Sequence, residues 1–398
     1  MKILLIHNFY KVPGGEDTVF RNEKKMLEEH GHEVTVYTRD NHEMDSMNAL
    51  GKVKMLIDAV YSEKTYRDIM KLVKEKDIDL IHVHNTHMLI SPSVYAAARD
   101  ADVPVFLTVH NFRLLCLNAI FYRDGKICEE CLEDGFKCGV RHKCYRGSRL
   151  QSEAAMRIQM AARRQKLYKN VNFICLTEFN KEKLLKINRI GKKLIDPKRV
   201  FVKPNFIPAL SDIRKDSQAE KNGKNFIFIG RIDETKGIDT ILRAWKNVPS
   251  DIRLTVCGSG PLEEKCLEFI RENKLSNVDF KGSVEHSEAL RLLAAADAML
   301  FMSKWYEGMP MTIIESFSVG TPVIGCDFGN GGEIISTVYG KKDLLLEPGE
   351  KLEESIAKAV IDFKAENYRF DASKLKRFSE EENYKELVEI YKIGMSFK

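Results

Sequence analysis

Short runs of β-branched and aromatic residues alternate with segments of helical periodicity along the whole chain. In the first half the runs are Lys2–Asn8, Glu33–Thr38, Leu80–His84, Val105–His110 and Asn172–Thr177. A second series begins afresh with Asn225–Ile229, Arg253–Cys257, Val278–Phe280, Ala298–Met302, Pro322–Cys326 and Leu344–Leu346. Apolar runs separated by amphipathic helices predict parallel sheets wound by crossover helices. Two such series predict two Rossmann-like α/β domains, residues 1–202 and 203–379. The linker is expected near Val202-Lys203-Pro204-Asn205, where a Pro and a turn-forming Asn interrupt the pattern. Ligands of such sheets lie beyond the carboxyl ends of the strands, so the expected site is a cleft faced by both sheets. The last segment, Glu380–Ile393, carries Leu387, Val388, Ile390, Tyr391 and Ile393, too broad an apolar stripe for an exposed tail. It is expected to pack, with the first domain as one option.

Length agrees with this division, because 398 residues exceed what one hydrophobic core usually serves. No stretch of about 18 apolar residues occurs, so no membrane span is expected. The N-terminal apolar run is too short for a signal peptide, and a cytoplasmic location follows as an expectation. Charge is divided unevenly between the halves. Residues 1–200 carry 35 Lys/Arg against 26 Asp/Glu, whereas the remainder carries 28 against 32. The first half is therefore the one expected to meet an anionic partner, a headgroup surface or a nucleic acid.

Three motifs in the second half carry chemistry. Gly230-Arg231-Ile232-Asp233-Glu234-Thr235-Lys236-Gly237 follows a strand and opens a helix marked by Ile238, Ile241, Leu242 and Trp245. That order predicts a phosphate cradle. A helix N-terminus offers N–H groups and partial positive charge, Arg231 can grip two oxygens, and Lys236 adds a compact cation. Gly258-Ser259-Gly260-Pro261 repeats the strand-turn-helix arrangement and would let backbone approach a nucleotide. The third is Glu307-Gly308-Met309-Pro310 leading to Glu315, with Pro310 suited to a first helical turn. A carboxylate repels a diphosphate but accepts well from sugar and ribose hydroxyls, so the two Glu read as hydroxyl clamps.

In this order the three elements resemble the donor-binding domain of the family 4 retaining glycosyltransferases, which have the GT-B fold of two Rossmann-like domains. The resemblance covers nearly the whole chain. It implies that Arg231 and Lys236 hold a donor diphosphate, that Glu315 binds the ribose, and that Glu307, with Gly308 and Met309, contacts the transferred sugar. It also places the base near Phe280-Lys281-Gly282. In the first domain the loop Pro13-Gly14-Gly15-Glu16 matches the family's glycine loop, and His110 matches its active-site His. A nucleoside-diphosphate sugar donor and a glycan or lipid-linked acceptor are thereby implied, with retention of configuration and no metal at the reaction centre. Arg231, Lys236 and helix N-termini would stabilise the departing diphosphate. Asp77-Ile78-Asp79 and Asp100-Ala101-Asp102 have metal-motif spacing but precede strands, at the wrong end for the cleft.

Five of nine cysteines cluster after His110. Cys128, Cys131, Cys138 and Cys144 have spacing compatible with a structural zinc site. The run Asn111–Cys116 through Cys144–Ser148 resembles the branch of the family that builds capsular and exopolysaccharides. Next, residues 141–169 hold nine Lys/Arg against the single acid Glu153, interleaved with Met156, Ile158, Met160 and Leu167. This segment is either a peripheral anchor on anionic headgroups or a solvated basic helix. Two other readings compete. A sugar-nucleotide 2-epimerase also uses two such domains but leaves the Glu307–Glu315 pair unexplained. A nucleic-acid-binding protein with a zinc knuckle would want more aromatics than Tyr145 and Tyr168 in the basic segment.

Overall fold

The computed structural model describes residues 1–11, 14–190, 193–208, 224–364, 368 and 372–397; Pro13 of the glycine loop lies outside them. The chain divides into two compact units, Met1–Phe121 with Cys128–Asn205 and Glu381–Lys398, and Tyr122–Ile127 with Phe206–Glu380.

The first unit is built on a six-stranded parallel sheet. Its strands are β1 (Lys2–Phe9), β2 (Glu33–Asp40), β3 (Leu80–Val83), β4 (Val105–Val109), β7 (Val171–Cys175) and β8 (Val200–Val202), in the order β2-β1-β3-β4-β7-β8. Ile3, Leu4, Leu5 and Ile6 are all fully buried, as expected of a central parallel strand covered on both faces. A short antiparallel hairpin, β5 (Tyr122–Arg123) with β6 (Lys126–Ile127), leaves this unit and belongs to the second. The C-terminal helix Glu380–Ser396 lies on the first unit's sheet. Leu387, Ile390 and Tyr391 are buried, and a Cβ at Gly394 would fall 2.4 Å from the ring of Phe106 on β4. This packing accounts for Leu387, Ile390 and Tyr391 of the stripe, whereas Ile393 stays 38% exposed.

The second unit has another six-stranded parallel sheet: β9 (Asn225–Ile229), β10 (Arg253–Cys257), β11 (Val278–Gly282), β12 (Ala298–Phe301), β13 (Val323–Cys326) and β14 (Leu345–Leu346). Their order is β11-β10-β9-β12-β13-β14. Trp245, ending the helix Ile238–Trp245, is 1% exposed and packs edge-on to Phe226 of β9, so the apolar face of that helix is what fixes it to the sheet. In each sheet the strand order reverses beside the first strand, between β1 and β3 and between β9 and β12. The carboxyl ends at these switch points are where such sheets bind ligands.

Candidate active site

At the switch point of the second sheet, Gly230 to Gly237 continues from β9. Asp233 caps the turn Glu234–Lys236, accepting from the backbone N–H groups of Thr235 (2.9 Å) and Lys236 (3.2 Å). Those two donors are spent within the loop, so a phosphate here would depend on side chains more than the sequence suggests. Arg231 is exposed and ion-paired with Asp233. The turn Gly258-Ser259-Gly260 lies directly on this loop: Gly230 N–H donates to Cys257 O at 3.1 Å and Ile232 N–H to Ser259 O at 2.9 Å. Gly258 has φ of 140°, and a Cβ there would fall 1.9 Å from Gly230 O. Its glycine is thus demanded by backbone packed on backbone; the same holds for Gly260, whose Cβ would meet Ile232 O at 2.5 Å. Close nucleotide approach is not needed to explain either.

Both turns border a cavity of about 290 Å3 lined by Gly230, Gly258, Ser283, Thr312, Glu315 and His286, with Val284, Leu290 and Leu293 as its apolar wall. Glu315 rides on the helix Met311–Ser318, and its carboxylate lies 3.0 Å from His286 Nε2. That hydrogen bond is the main reason the His286 imidazole is raised above its ordinary pKa. Sequence reasoning had not singled out His286. Glu307 is placed differently. It is buried, and its carboxylate meets Lys236 Nζ at 2.6 Å and the Ser303 hydroxyl at 2.5 Å. Its backbone takes φ of 54°, held there by Asn330 Nδ2, which donates to Glu307 O (2.7 Å) and Gly308 O (2.8 Å). Gly308 and Met309 are half-buried beside it. Glu307 and Lys236 therefore form one unit, and Glu315 lines the cavity without them.

At the switch point of the first sheet, Gly14 and Gly15 begin the helix Gly15–Glu29, and no protein atom lies within 4 Å of a Cβ added at either. Glu16 follows, accepting from Tyr10 Oη at 3.2 Å and Asn111 Nδ2 at 3.3 Å. Burial pushes its carboxyl up to about 8, against the opposing pull of Arg113. Glu16 and Arg113 line a small cavity with His84 and His110. His110, just beyond β4, has Nε2 3.0 Å from His84 Nδ1, the two rings stacked at 5.2 Å. His84 Nε2 is 3.2 Å from Glu23 Oε1, and Lys203 Nζ is 3.4 Å from Glu23 Oε2. The signals for this cluster were present in the sequence. His82 and His84 share one face of a strand by its period of two. Glu23 falls on the apolar face of its helix among Val19, Phe20, Met26 and Leu27.

Glu23, His82 and His84 offer three ligand atoms within 4.8 Å of one another. They fit a hydrogen-bonded network better than a metal ion: Tyr391 Oη and Thr108 Oγ1 already occupy the two His82 nitrogens at 2.6 and 2.8 Å, and Lys203 sets a fixed cation beside the carboxylate. In the cysteine segment, Cys131 and Cys138 lie with sulfurs 3.6 Å apart, and Cys116, a residue outside the expected zinc set, bonds to Cys131. Burial raises the Cys138 thiol to about 12. Among the described residues no three of the sulfurs lie within 4.8 Å of one another. The basic helix Arg149–Arg164 turns Ile158 inward and holds Arg163 half-buried, over Phe136 and donating to Leu114 O at 2.7 Å. No helix among the described residues is long and apolar enough to cross a membrane.

Comparison with known proteins bears on the whole arrangement. Residues 13–209 match the family model described as Glycosyltransferase Family 4, and residues 211–385 match that for Glycosyl transferases group 1. An uncharacterised glycosyltransferase of Methanocaldococcus jannaschii is 29% identical over 187 residues, 40% of this chain and 46% of its own. The chain thus spans about half the length of the first such curated relatives. The alpha-monoglucosyldiacylglycerol synthase of Streptococcus pneumoniae is 21% identical across 92% of this chain and 82% of its own. Among solved structures, Anabaena HepE in complex with UDP superposes with a TM-score of 0.63 at 17% identity, covering 98% of this chain and all of that one. With both family models matched in tandem over nearly its full length and two parallel-sheet α/β domains of the GT-B type, the chain belongs to the family 4 glycosyltransferases.

Proposed function

We propose that this protein transfers a sugar, with retention of configuration, from a uridine diphosphate sugar to a glycan or lipid-linked acceptor in surface polysaccharide synthesis. The observation that carries the reading is the cavity at the second sheet's switch point, where the Glu315 carboxylate borders an apolar slot and Gly230, next to the exposed Arg231, forms part of the wall. An apolar slot suits a base, a carboxylate suits vicinal ribose hydroxyls, and an exposed guanidinium suits a diphosphate. HepE in complex with UDP supports the choice of uridine. In this reading Arg231 and Lys236 stabilise the negative charge that grows on the leaving diphosphate. Glu307 orders Lys236 and meets the sugar, while His110 keeps the active-site role that the family resemblance gives it. No metal is assigned to the reaction centre, because the charge role belongs to side chains. Asp77 and Asp79 precede β3, and Asp100 and Asp102 precede β4, away from the carboxyl ends.

The acceptor reading draws on a surface the sequence did not single out. The helix Ala49–Asp58 exposes Leu50, Val53 and Ile57, at 81%, 57% and 66%, in a single apolar stripe, with Lys52 and Lys54 on the same helix. The basic helix Arg149–Arg164 adds an exposed Leu150. Apolar residues set among cations suit the inner face of a membrane of anionic lipids, where a lipid-linked acceptor would reside.

Thermal stabilisation by a panel of nucleoside diphosphates and their sugars tests the donor site, run beside Arg231→Ala and Glu315→Ala. Selective stabilisation by the uridine series, lost in both variants, is the expected result. No stabilisation by any nucleotide would remove the transferase reading. Sedimentation with anionic liposomes at low salt tests the surface, and Leu50→Ser/Ile57→Ser should abolish it.

A further inference from the structure

We propose that Lys203, Glu23 and His84 form a buried relay that fixes His110 as the tautomer protonated on Nε2, so that His110 presents a bare Nδ1 as a hydrogen-bond acceptor. Glu23, His84 and Lys203 are each nearly or wholly buried. Burial alone would raise the Glu23 carboxyl, but His82, Lys203 and His84 around it overcome that and hold it well below the usual carboxylate range. Glu23 is therefore an acceptor only. Burial lowers the pKa of His84, so it is neutral and has a single N–H. With Glu23 Oε1 at 3.2 Å, that N–H must be on Nε2, which leaves Nδ1 a bare lone pair. His84 Nδ1 lies 3.0 Å from His110 Nε2, and two lone pairs cannot face one another, so His110 carries its proton there.

Burial likewise holds the pKa of His110 well below its ordinary value, so its Nδ1 has no proton. Nδ1 has no hydrogen-bond partner among the described residues, and the ring lines the cavity shared with Glu16 and Arg113. The far end of the relay is pinned too: Asn383 of the C-terminal helix accepts from Lys203 Nζ at 2.7 Å. Glu23 and His84 are thus positioning residues that act through His110. The consequence for reactivity rests on the transferase reading: His110 would accept from a hydroxyl of the bound sugar or acceptor and could not donate to it.

The tautomer can be read without activity. In wild-type protein labelled with 15N-histidine, with the signal assigned by its loss in His110→Gln, His110 should show a protonated Nε2 and an unprotonated Nδ1 near neutral pH. A proton on Nδ1, or a doubly protonated ring, overturns the relay. Kinetics then separate positioning from packing. His84→Leu releases the ring and should lower kcat about tenfold with donor KM changed less than about twofold. His84→Asn, whose amide oxygen can accept the same N–H, should restore most of kcat. Equal losses in the two variants would reduce His84 to packing. If the NMR result holds but wild-type protein transfers no sugar from any nucleotide donor, the proposed function fails while the relay stands.

Discussion

The Lys236–Glu307 pair makes a quantitative prediction that separates folding from binding. Their contact is 2.6 Å, with the Lys side chain 24% and the Glu side chain 7% exposed. Removing one member of a fully buried pair costs about 3–5 kcal/mol, because the remaining charge is left without its partner. Here water reaches the lysine, and Glu307 keeps the Ser303 hydroxyl, so about 2 kcal/mol is the better figure for Lys236→Met. For a domain of this size that lowers the unfolding midpoint by about 4–8 °C. Arg231→Ala removes an exposed side chain whose pairing with Asp233 contributes at most about 0.5 kcal/mol, so its midpoint should stay within about 2 °C of wild type. Binding should sort the variants differently. Loss of a charged hydrogen bond to phosphate weakens UDP about 10–100-fold in Arg231→Ala. Glu307→Gln keeps an acceptor for Ser303, and the double variant Lys236→Met/Glu307→Gln should regain part of the lost stability, since no unpaired carboxylate remains. Differential scanning calorimetry of the transition belonging to the second domain, with UDP titrations beside it, gives both numbers. A Lys236→Met midpoint equal to that of Arg231→Ala would refute the reasoning, for it would mean the buried carboxylate never needed its cation.

Four further outcomes are expected. The His286–Glu315 contact raises the His286 pKa, so the ion pair is fully formed below the ordinary value and is lost as pH rises through the raised one; with Glu315 in the proposed ribose-binding role, nucleotide binding should strengthen between about pH 6 and pH 8, and His286→Ala should flatten the dependence in calorimetric titrations. Gly258→Ala places a Cβ 1.9 Å from Gly230 O at a φ of 140° and should destabilise by about 2 kcal/mol or more in denaturant melts. Gly14→Ala enters open space and should leave the melt unchanged, so any loss of transfer in that variant reports a ligand at the glycine loop. Finally, the structural-zinc proposal for the cysteine segment predicts about one zinc per chain in protein purified without added metal, by mass spectrometry of the metal content. A ratio near zero assigns Cys116, Cys131 and Cys138 to buried reduced thiols.

The parts of this protein legible in its sequence are those whose cause is local. Parallel strands covered on both faces read as continuous apolar runs, which is why β1, β4, β7 and β9 stand out. By contrast β8, at a sheet edge with three residues, carries too little pattern to be recognised. Likewise Arg231, Lys236 and Glu315 are recognisable because their residue types suit a nucleotide sugar and follow a strand or mark a helix. What sequence could not reveal are meetings across the chain. Lys236 and Glu307 are 71 positions apart, and nothing in either motif says that one neutralises the other. Gly258 suggests a ligand by its motif, whereas its actual neighbour is the carbonyl of Gly230. The relay draws on β3, the end of β4, the residue after β8 and two helices, and no local window contains more than two of its members. Even so, its ionic centre had a local mark, an acid on the apolar face of Gly15–Glu29. A carboxylate in such a position must find cations elsewhere in the fold or lose its charge. In this chain Lys203 and the two histidines of β3 and its edge are what it found, which ties the sheet's switch point to the ring of His110.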